Sequence, residues 1–413
     1  MKLIYSFGIY LYTLGIRIAS PFHLKARQMV KGWKAIKDIP IDNSRPTAWF
    51  HAASLGEFEQ ARPVLEQFKQ QHPDYRIWVT FFSPSGYEIR KNYALADNVT
   101  YLPMDTPRNA RTLVKIINPS IVFFVKYEFW FNYLITLRNK NIPTYIFSAI
   151  FRPTQYFFKS YGKWFLQQLR TCFKHIFVQN EESLQLLRAQ GITNCSIAGD
   201  TRFDRVHDIA QHVKSFPEIE RFLTNDGTKA KVLIAGSSWE PDEEYLKEYL
   251  KEYLQHRGSD FKMILAPHVI SESHLKGIEN LFGATNCIRY SALSTLQGNP
   301  QILIIDNIGM LSSLYQYGDV AYIGGGWGRG IHNILEAITF GKPVVFGPNH
   351  KKFKEACDII ANEGGYTYTR YIELEKALDQ LFDNAEQYEK SVQRCNTYMQ
   401  QNLGSTEIIL SKL

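Results

Sequence analysis

Short apolar, β-branched or aromatic runs recur along this chain and alternate with stretches whose apolar residues fall at helical spacing. That alternation predicts βα units wound around parallel sheets, an α/β fold. In the first half the runs predict strands at Thr47 to His51, Arg76 to Phe82, Val99 to Leu102, Ile121 to Lys126, Thr144 to Phe147, His175 to Val178 and Ser196 to Ala198. A more polar stretch from Asp204 to Lys229, with Pro217 and the turn signal Asn225-Asp226-Gly227, marks a boundary. A second series then begins, at Val232 to Ala235, Lys262 to Leu265, Cys287 to Tyr290, Ile302 to Ile305, Val320 to Ile323 and Pro343 to Phe346. Two successive doubly wound units predict two Rossmann-like domains facing across a cleft, with ligands where strand C-termini meet helix N-termini. The expected division is a basic segment over 1–45, a first domain over 46–205, a linker over 206–229 and a second domain over 230–413.

Ahead of the first strand the pattern changes. Leu3 to Ile16 is an uncharged run of fourteen residues between Lys2 and Arg17. Spanning a bilayer takes about 20 apolar residues, so the run is short for a transmembrane helix. Arg17 follows it with no A-x-A-like cleavage site, which argues against a signal peptide. Two readings stay open: an interfacial anchor on anionic lipid, and a helix packed on its own domain.

Charge favours the first. The chain of 413 residues carries 47 Lys and Arg against 40 Asp and Glu, a net +7. Eight of those cations and only Asp38 and Asp42 lie in residues 1–45, so the front segment alone holds +6 and the rest is nearly neutral. No body-wide basic groove, zinc-finger spacing or basic heptad is present, which disfavours a nucleic-acid partner. The five cysteines are widely spaced and odd in number, as in a reducing compartment. No H-E-x-x-H, Asp-x-Asp, dinucleotide G-x-G-x-x-G or P-loop motif occurs, which points away from metal, NAD and P-loop chemistry.

Candidate chemistry falls at strand ends. Ala321 to Lys354 reads strand, glycine loop, helix, strand, loop. Its glycines, Gly325 and Gly326 among them, and a helix expected to start near Ile331 would form a phosphate seat, with Asn333 and Glu336 on one helical face for ribose hydroxyls. Equally, the glycines build a tight βα turn and Glu336 caps it. His51 to Glu57 follows the first strand, placing Ser54, Gly56 and Glu57 at a strand-to-helix turn. There a carboxylate serves as a general base or merely complements the helix dipole. Pro63 must lie near the helix start or kink it. Glu128, near Lys126, and Arg152 end two further strands. Gly236, Ser237, Pro267 and His268 end strands of the second unit.

Together these positions resemble the 3-deoxy-D-manno-oct-2-ulosonic acid (Kdo) transferases, which move Kdo from CMP-Kdo to the lipid A precursor. The resemblance runs through WFHAASLGEFEQARPVL (49–65), KYEFWFN (126–132), GDTRFD (199–204), AGSSWEPDEE (235–244), LAPH (265–268), GMLSSLYQYGDVAYIGGG (309–326) and HNILEAITFGKPVVFGPNHKKFKEA (332–356), in order. It implies a GT-B architecture, a short N-terminal membrane anchor, the cytoplasmic side of an inner membrane, and lipopolysaccharide synthesis. It also implies Glu57 as catalytic base of an inverting transfer, and CMP binding by Pro267 and His268, by Gly309, Met310 and Leu311, and by Asn333, Ile334, Leu335 and Glu336. Gly236, Ser237, Gly325 and Gly326 would lie on the donor side, and Ser54, Gly56, Glu128 and Arg152 on the acceptor side. Neither metal nor cofactor is implied, so the leaving phosphate falls to helix N-termini and nearby cations. The chain departs from the family at Pro267-His268-Val269, where many members have proline-arginine, and at Tyr127-Glu128-Phe129-Trp130. A UDP-sugar enzyme of the same fold and a non-catalytic membrane-associated binding protein are the alternatives.

Overall fold

A computed structural model describes residues 1–42, 44–225 and 228–413. The chain divides into two compact units, Met1–Arg205 with Asn402–Leu413, and Val206–Gln401.

Unit 1 is built on seven parallel strands: β1 (Thr47–Ala52), β2 (Arg76–Phe81), β3 (Asn98–Tyr101), β4 (Ile121–Val125), β5 (Thr144–Ala149), β6 (His175–Val178) and β7 (Cys195–Ile197). Their order is β3-β2-β1-β4-β5-β6-β7. Both faces are covered, so β1, β2, β4 and β5 are buried at every residue, which is why they read as continuous apolar runs. Alternation still sorts the side chains. Ala48, Phe50 and Ala52 pack with Phe58, Ala61 and Leu65 of one helix, while Trp49 joins the opposite core with Val122, Phe124 and Leu134.

Six helices matter in this unit: α1 (Lys2–Ala19), α2 (Leu24–Ala35), α3 (Leu55–Gln71), α4 (Pro84–Arg90), α5 (Pro107–Ile117) and α6 (Phe131–Asn139). Helix α3 runs through Pro63, which therefore marks no helix start. Of the two readings left open for α1, packing on its own domain is the one the structure shows. One stripe packs on the unit: Tyr5 donates to Asp105 at 2.6 Å and sits edge-on to Phe131 at 5.4 Å, and Ser6 bonds Asn132. The rest is apolar and exposed, at Leu3, Ile4, Phe7, Leu11, Leu14 and Ile18, continuing to Phe22, which is 90% exposed. Among the described residues no single helix is long and apolar enough to cross a membrane. Lys2–Ala19 and Leu24–Asp38, bent by 114°, pass that test only as a pair.

The first strands of unit 2 are a short antiparallel pair, β8 (Thr224–Asn225) and β9 (Thr228–Lys229). Of the expected turn signal, Asp226 and Gly227 lie outside the described residues. Seven parallel strands follow: β10 (Lys231–Ser238), β11 (Phe261–Pro267), β12 (Cys287–Arg289), β13 (Ile302–Ile304), β14 (Val320–Ile323), β15 (Val344–Phe346) and β16 (Gly365–Thr367). They are ordered β12-β13-β11-β10-β14-β15-β16. Strand β16 has no counterpart among the predicted runs, because Gly-Tyr-Thr is too short and polar to stand out.

Two boundaries differ from the sequence reading. The stretch expected as a linker over 206–229 carries helical turns, including Pro217–Phe222, whose Ile219 and Phe222 are buried. The last residues return to unit 1 instead of completing the second domain. Asp204 accepts hydrogen bonds from the Gly404 and Thr406 amides and the Thr406 hydroxyl, and Ile409 enters the core beside α3. The GDTRFD segment is thus a buried clasp, since Asp200 also accepts from Gln60 of α3 and pairs with Arg202.

Candidate active site

In an open parallel sheet the crevice lies where strand order reverses, at the C-terminal ends of the two strands flanking the reversal. In unit 1 those strands are β1 and β4. The loop after β1 carries Ser54, Gly56 and Glu57, and the loop after β4 carries Glu128. Arg152 follows β5, the next strand over, and is exposed.

Ser54 is the N-cap of α3 in extended conformation, and Glu57 is in the first turn. The Ser54 hydroxyl donates to Glu57 Oε2 and makes no capping bond to the backbone. The carboxylate is half-buried and turned onto the Ser54 hydroxyl. Gly56 is exposed, and a Cβ built there meets nothing nearer than Ser54 Oγ at 3.9 Å. Internal packing does not require glycine at this position.

Glu128 is held differently. Its Oε2 lies 3.0 Å from Nε2 of the fully buried His51 and accepts from Trp130 Nε1 at 2.5 Å. His51 Nδ1 in turn meets Thr80 Oγ1 at 2.8 Å, and that hydroxyl accepts from Trp49 Nε1 at 2.8 Å. A chain of four side chains on β1, β2 and the β4 loop therefore fixes the Glu128 carboxylate. His51, Thr80 and Trp49 were missed as candidates, because only strand register brings His51 beside Thr80.

In unit 2 the reversal lies between β10 and β14. Here the expected phosphate seat is not what forms. Helix begins at Leu335 rather than near Ile331 and lasts only to Ile338. The glycine-loop amides are largely engaged: Gly325 N–H donates to Asp242 Oδ2 at 2.9 Å, and Gly324 N–H to the Gly236 carbonyl. Tyr322 and the Trp239 amide also bond Asp242, whose buried carboxyl is pushed above the ordinary range by burial, against the pull of those donors. The glycines serve close backbone packing. A Cβ on Gly324 would fall 2.2 Å from the Ser237 carbonyl oxygen, and one on Gly326 would fall 2.6 Å from Gly347 Cα. Of the two roles left open for this loop, the tight βα turn is the one built.

The remaining donor-side candidates gather in two groups. His268 stacks on Trp239 at 4.7 Å and on His332 at 4.4 Å, and Trp239 Nε1 donates to His332 Nε2 at 3.3 Å. Burial and then the neighbouring His268 lower the His332 pKa to about 4, so this imidazole is neutral at pH 7. Pro267 ends β11 and sets the His268 amide on the Ser238 carbonyl. In the second group, Gly236 is packed under Leu311 and Tyr315, and burial, with the Glu336 charge as a further cause, holds the Tyr315 hydroxyl well above the ordinary tyrosine range. Asn333 donates to Glu336 Oε1 at 3.1 Å while its own Oδ1 accepts the Leu335 amide. Ile334 and Leu335 are core side chains, so only their backbone is available to a ligand. Gly309, at φ +98, and Met310 precede Leu311 at the start of a helical turn, and Ser237 takes φ +54 after Gly236.

Beside the glycine loop lies a cavity of about 770 Å³ lined by Arg329, His350, Lys351 and Lys352, with no carboxylate in its lining. Arg329 is one of the cations that sequence reasoning left unnamed. A charged side chain inside a glycine run was the signal. Among the described residues no cluster of three or more His, Cys, Asp or Glu is placed to hold a metal ion, and the five cysteines are free thiols.

Residues 26–205 match the family described as "3-Deoxy-D-manno-octulosonic-acid transferase (kdotransferase)". The 3-deoxy-D-manno-octulosonic acid transferase of Aquifex aeolicus is 25% identical over 345 residues, 83% of this chain and 87% of its own. That of Haemophilus influenzae is 25% identical over 391 residues, 88% of this chain and 86% of its own. Among solved structures, the UDP-GlcNAc 2-epimerase of Neisseria meningitidis superposes with a TM-score of 0.61 at 15% identity, covering 88% of this chain and 98% of that one. A glycosyltransferase from Rickettsia africae gives 0.57 at 15%, covering 89% and 97%. These neighbours establish the GT-B fold.

Proposed function

We propose that this chain, as a member of the Kdo transferase family, transfers Kdo from CMP-Kdo to a hydroxyl of the lipid A precursor, with Glu57 as general base. The observation that carries the assignment of the base is Glu57 itself, a half-buried carboxylate in the first turn after β1, at the strand reversal of its sheet. The acceptor hydroxyl oxygen forms a bond to the anomeric carbon of Kdo, its proton passes to Glu57, and the bond from that carbon to the CMP phosphate breaks. One displacement inverts the anomeric centre. The donor's own carboxylate offsets part of the oxocarbenium charge.

The leaving phosphate needs fixed positive charge. Arg329, Lys351 and Lys352 supply it in this reading, with His268 as a further donor-side candidate. No metal or organic cofactor is part of it. Open space over Gly56 supports acceptor approach on that side, and Glu128 and Arg152 would support the acceptor from neighbouring strand ends.

Membrane attachment is part of the same reading. The exposed apolar face of α1, continued by Phe22 and Leu24 and flanked by the basic residues of 1–45, suits the interface of an anionic bilayer on the cytoplasmic side of an inner membrane.

The test is transfer of radiolabelled Kdo from CMP-Kdo to tetraacylated lipid A precursor by the intact chain and by Glu57→Gln. Loss of about 10²–10⁴-fold in rate is expected on removing a general base. CMP should still raise the thermal midpoint of the variant, because donor binding does not involve Glu57. Transfer at the wild-type rate by Glu57→Gln refutes the assignment of the base. Equal protection by UDP and CMP refutes the donor.

A further inference from the structure

Helices α1, α2 and α5 enclose a cavity of about 480 Å³ in unit 1 that plays no part in the chemistry above. Its lining includes Arg17 from α1, Lys34 from α2 and Lys37 from the turn after it, and no Asp or Glu. Among the described residues these three cations form no ion pair and no side-chain hydrogen bond, whereas Arg45 and Arg76 nearby in sequence are paired with Asp97 and Asp42. Trp33 also lines the cavity, and its indole N–H is buried without a partner. Three unneutralised cations around one recess repel each other, and a buried N–H without an acceptor is unfavourable. An anion with several acceptor oxygens answers both.

The position says which anion. Helix α1, which lines the cavity through Thr13 and Arg17, presents Phe7, Leu11 and Ile18 to the outside, and the exposed Phe22 follows it. We propose that it is a phosphate-group site that takes the headgroup phosphodiester of an anionic phospholipid. This inference rests on the reading of α1 and α2 as membrane-facing. It adds a stoichiometric, structured contact to what would otherwise be diffuse attraction between a basic segment and a charged surface. The phosphate oxygens are held by Arg17, Lys34 and Lys37, and the acyl chains leave along the exposed apolar face.

The experiment uses the full chain and short-chain dihexanoylphosphatidylglycerol below its micelle concentration, read through the Trp33 indole ¹⁵N–¹H resonance, which Trp33→Phe identifies. The lipid should shift that resonance saturably. The triple variant Arg17→Gln, Lys34→Gln, Lys37→Gln should weaken the affinity by about a hundredfold, from the loss of three cations close to a charged headgroup. A second triple variant, Lys2→Gln, Lys25→Gln, Lys31→Gln, removes the same charge from exposed positions outside the cavity and should bind as wild type does. Equal weakening in the two triples would overturn the proposal, since it would mean diffuse electrostatics. Equal shifts with dihexanoylphosphatidylcholine would overturn it by showing that chains and not charge are recognised. The same shift with inorganic phosphate at the same concentration would overturn the lipid assignment in favour of a free-phosphate site. Sedimentation with phosphatidylglycerol vesicles is scored separately. A wild-type chain that stays in the supernatant but still shifts with the soluble lipid refutes the membrane reading and leaves the cavity assignment standing.

Discussion

Asp105 holds α1 to the rest of unit 1, and its titration tests whether burial or hydrogen bonding governs that joint. The carboxyl is fully buried and accepts from the Tyr5 hydroxyl at 2.6 Å and from the Asn132 and Tyr133 amides at 2.9 Å each. Burial raises its pKa from 3.8 to about 7, against the pull of those three donors. The native carboxyl therefore keeps its proton to higher pH than the unfolded one. Between these two values the native state binds more protons, so stability is fully present below the lower value and falls as pH rises through the upper one. Three units at 1.36 kcal/mol each set the upper bound at about 4 kcal/mol.

Asp105→Asn abolishes this titration but places an amide NH₂ against a backbone N–H, so the variant should be the less stable protein at acid pH. The gap should then close as pH rises from about 4 to 8, because only the wild type is losing stability. Urea denaturation of both proteins across that range, followed by the near-UV signal of the Tyr5, Phe131 and Trp164 cluster, measures the gap directly. Other titrating groups cancel in the difference. A gap that stays flat or widens with pH would refute the reasoning, since it would mean that the three donors outweigh burial and that Asp105 is ionised throughout.

Two further outcomes are expected from single sites. Gly56→Ala should leave the thermal midpoint unchanged or raise it, since Ala is favoured over Gly in a helix by about 0.5–1 kcal/mol and the added methyl meets no protein atom closer than 3.9 Å. The same variant should raise the KM for the lipid acceptor and leave CMP protection intact; an unchanged KM places the acceptor elsewhere. Phe7→Ser, Leu11→Ser and Phe22→Ser combined should strip the protein from vesicles, at about 1.5–3 kcal/mol for each large apolar side chain, with no loss of CMP protection. Deleting residues 1–20 is the poorer test, because it also removes Tyr5 and Ser6 from Asp105 and Asn132.

The parallel strands of both units were legible because a strand buried on two faces must be apolar throughout, and β1 or β4 can hardly be read otherwise. What sequence order could not supply was contact across strands. His51 reads as one residue in WFHAAS, yet register sets it against Thr80 and thereby beneath Glu128. Nor could it supply the return of the C-terminus, which depends on Asp204 meeting residues about two hundred positions later. The positions of the candidate residues at strand C-termini were legible, since a strand end is visible in sequence and the topology then gathers such ends at one edge of the sheet.

The glycine loop of unit 2 shows where spacing alone misleads. Glycines after a strand suggest an anion seat because their amides can face a phosphate. In this chain a carboxylate has taken that place: Asp242, reached from the helix after β10, accepts the Gly325 amide. A second anion at the same amide would face both a used donor and a like charge. On the proposed reading donor charge is then met by side chains, and the acid-free cavity with Arg329, Lys351 and Lys352 lies immediately beside the loop. Arg329→Gln should therefore abolish most of the thermal protection given by CMP, by about 1.5–3 kcal/mol for a lost charge-assisted hydrogen bond, while protection by cytidine, which carries no phosphate, should be unchanged. Equal loss with both ligands would mean that Arg329 shapes the loop and does not bind the phosphate. No loss with either would return the phosphate to the backbone, and with it the need for Asp242 to be protonated when donor is bound.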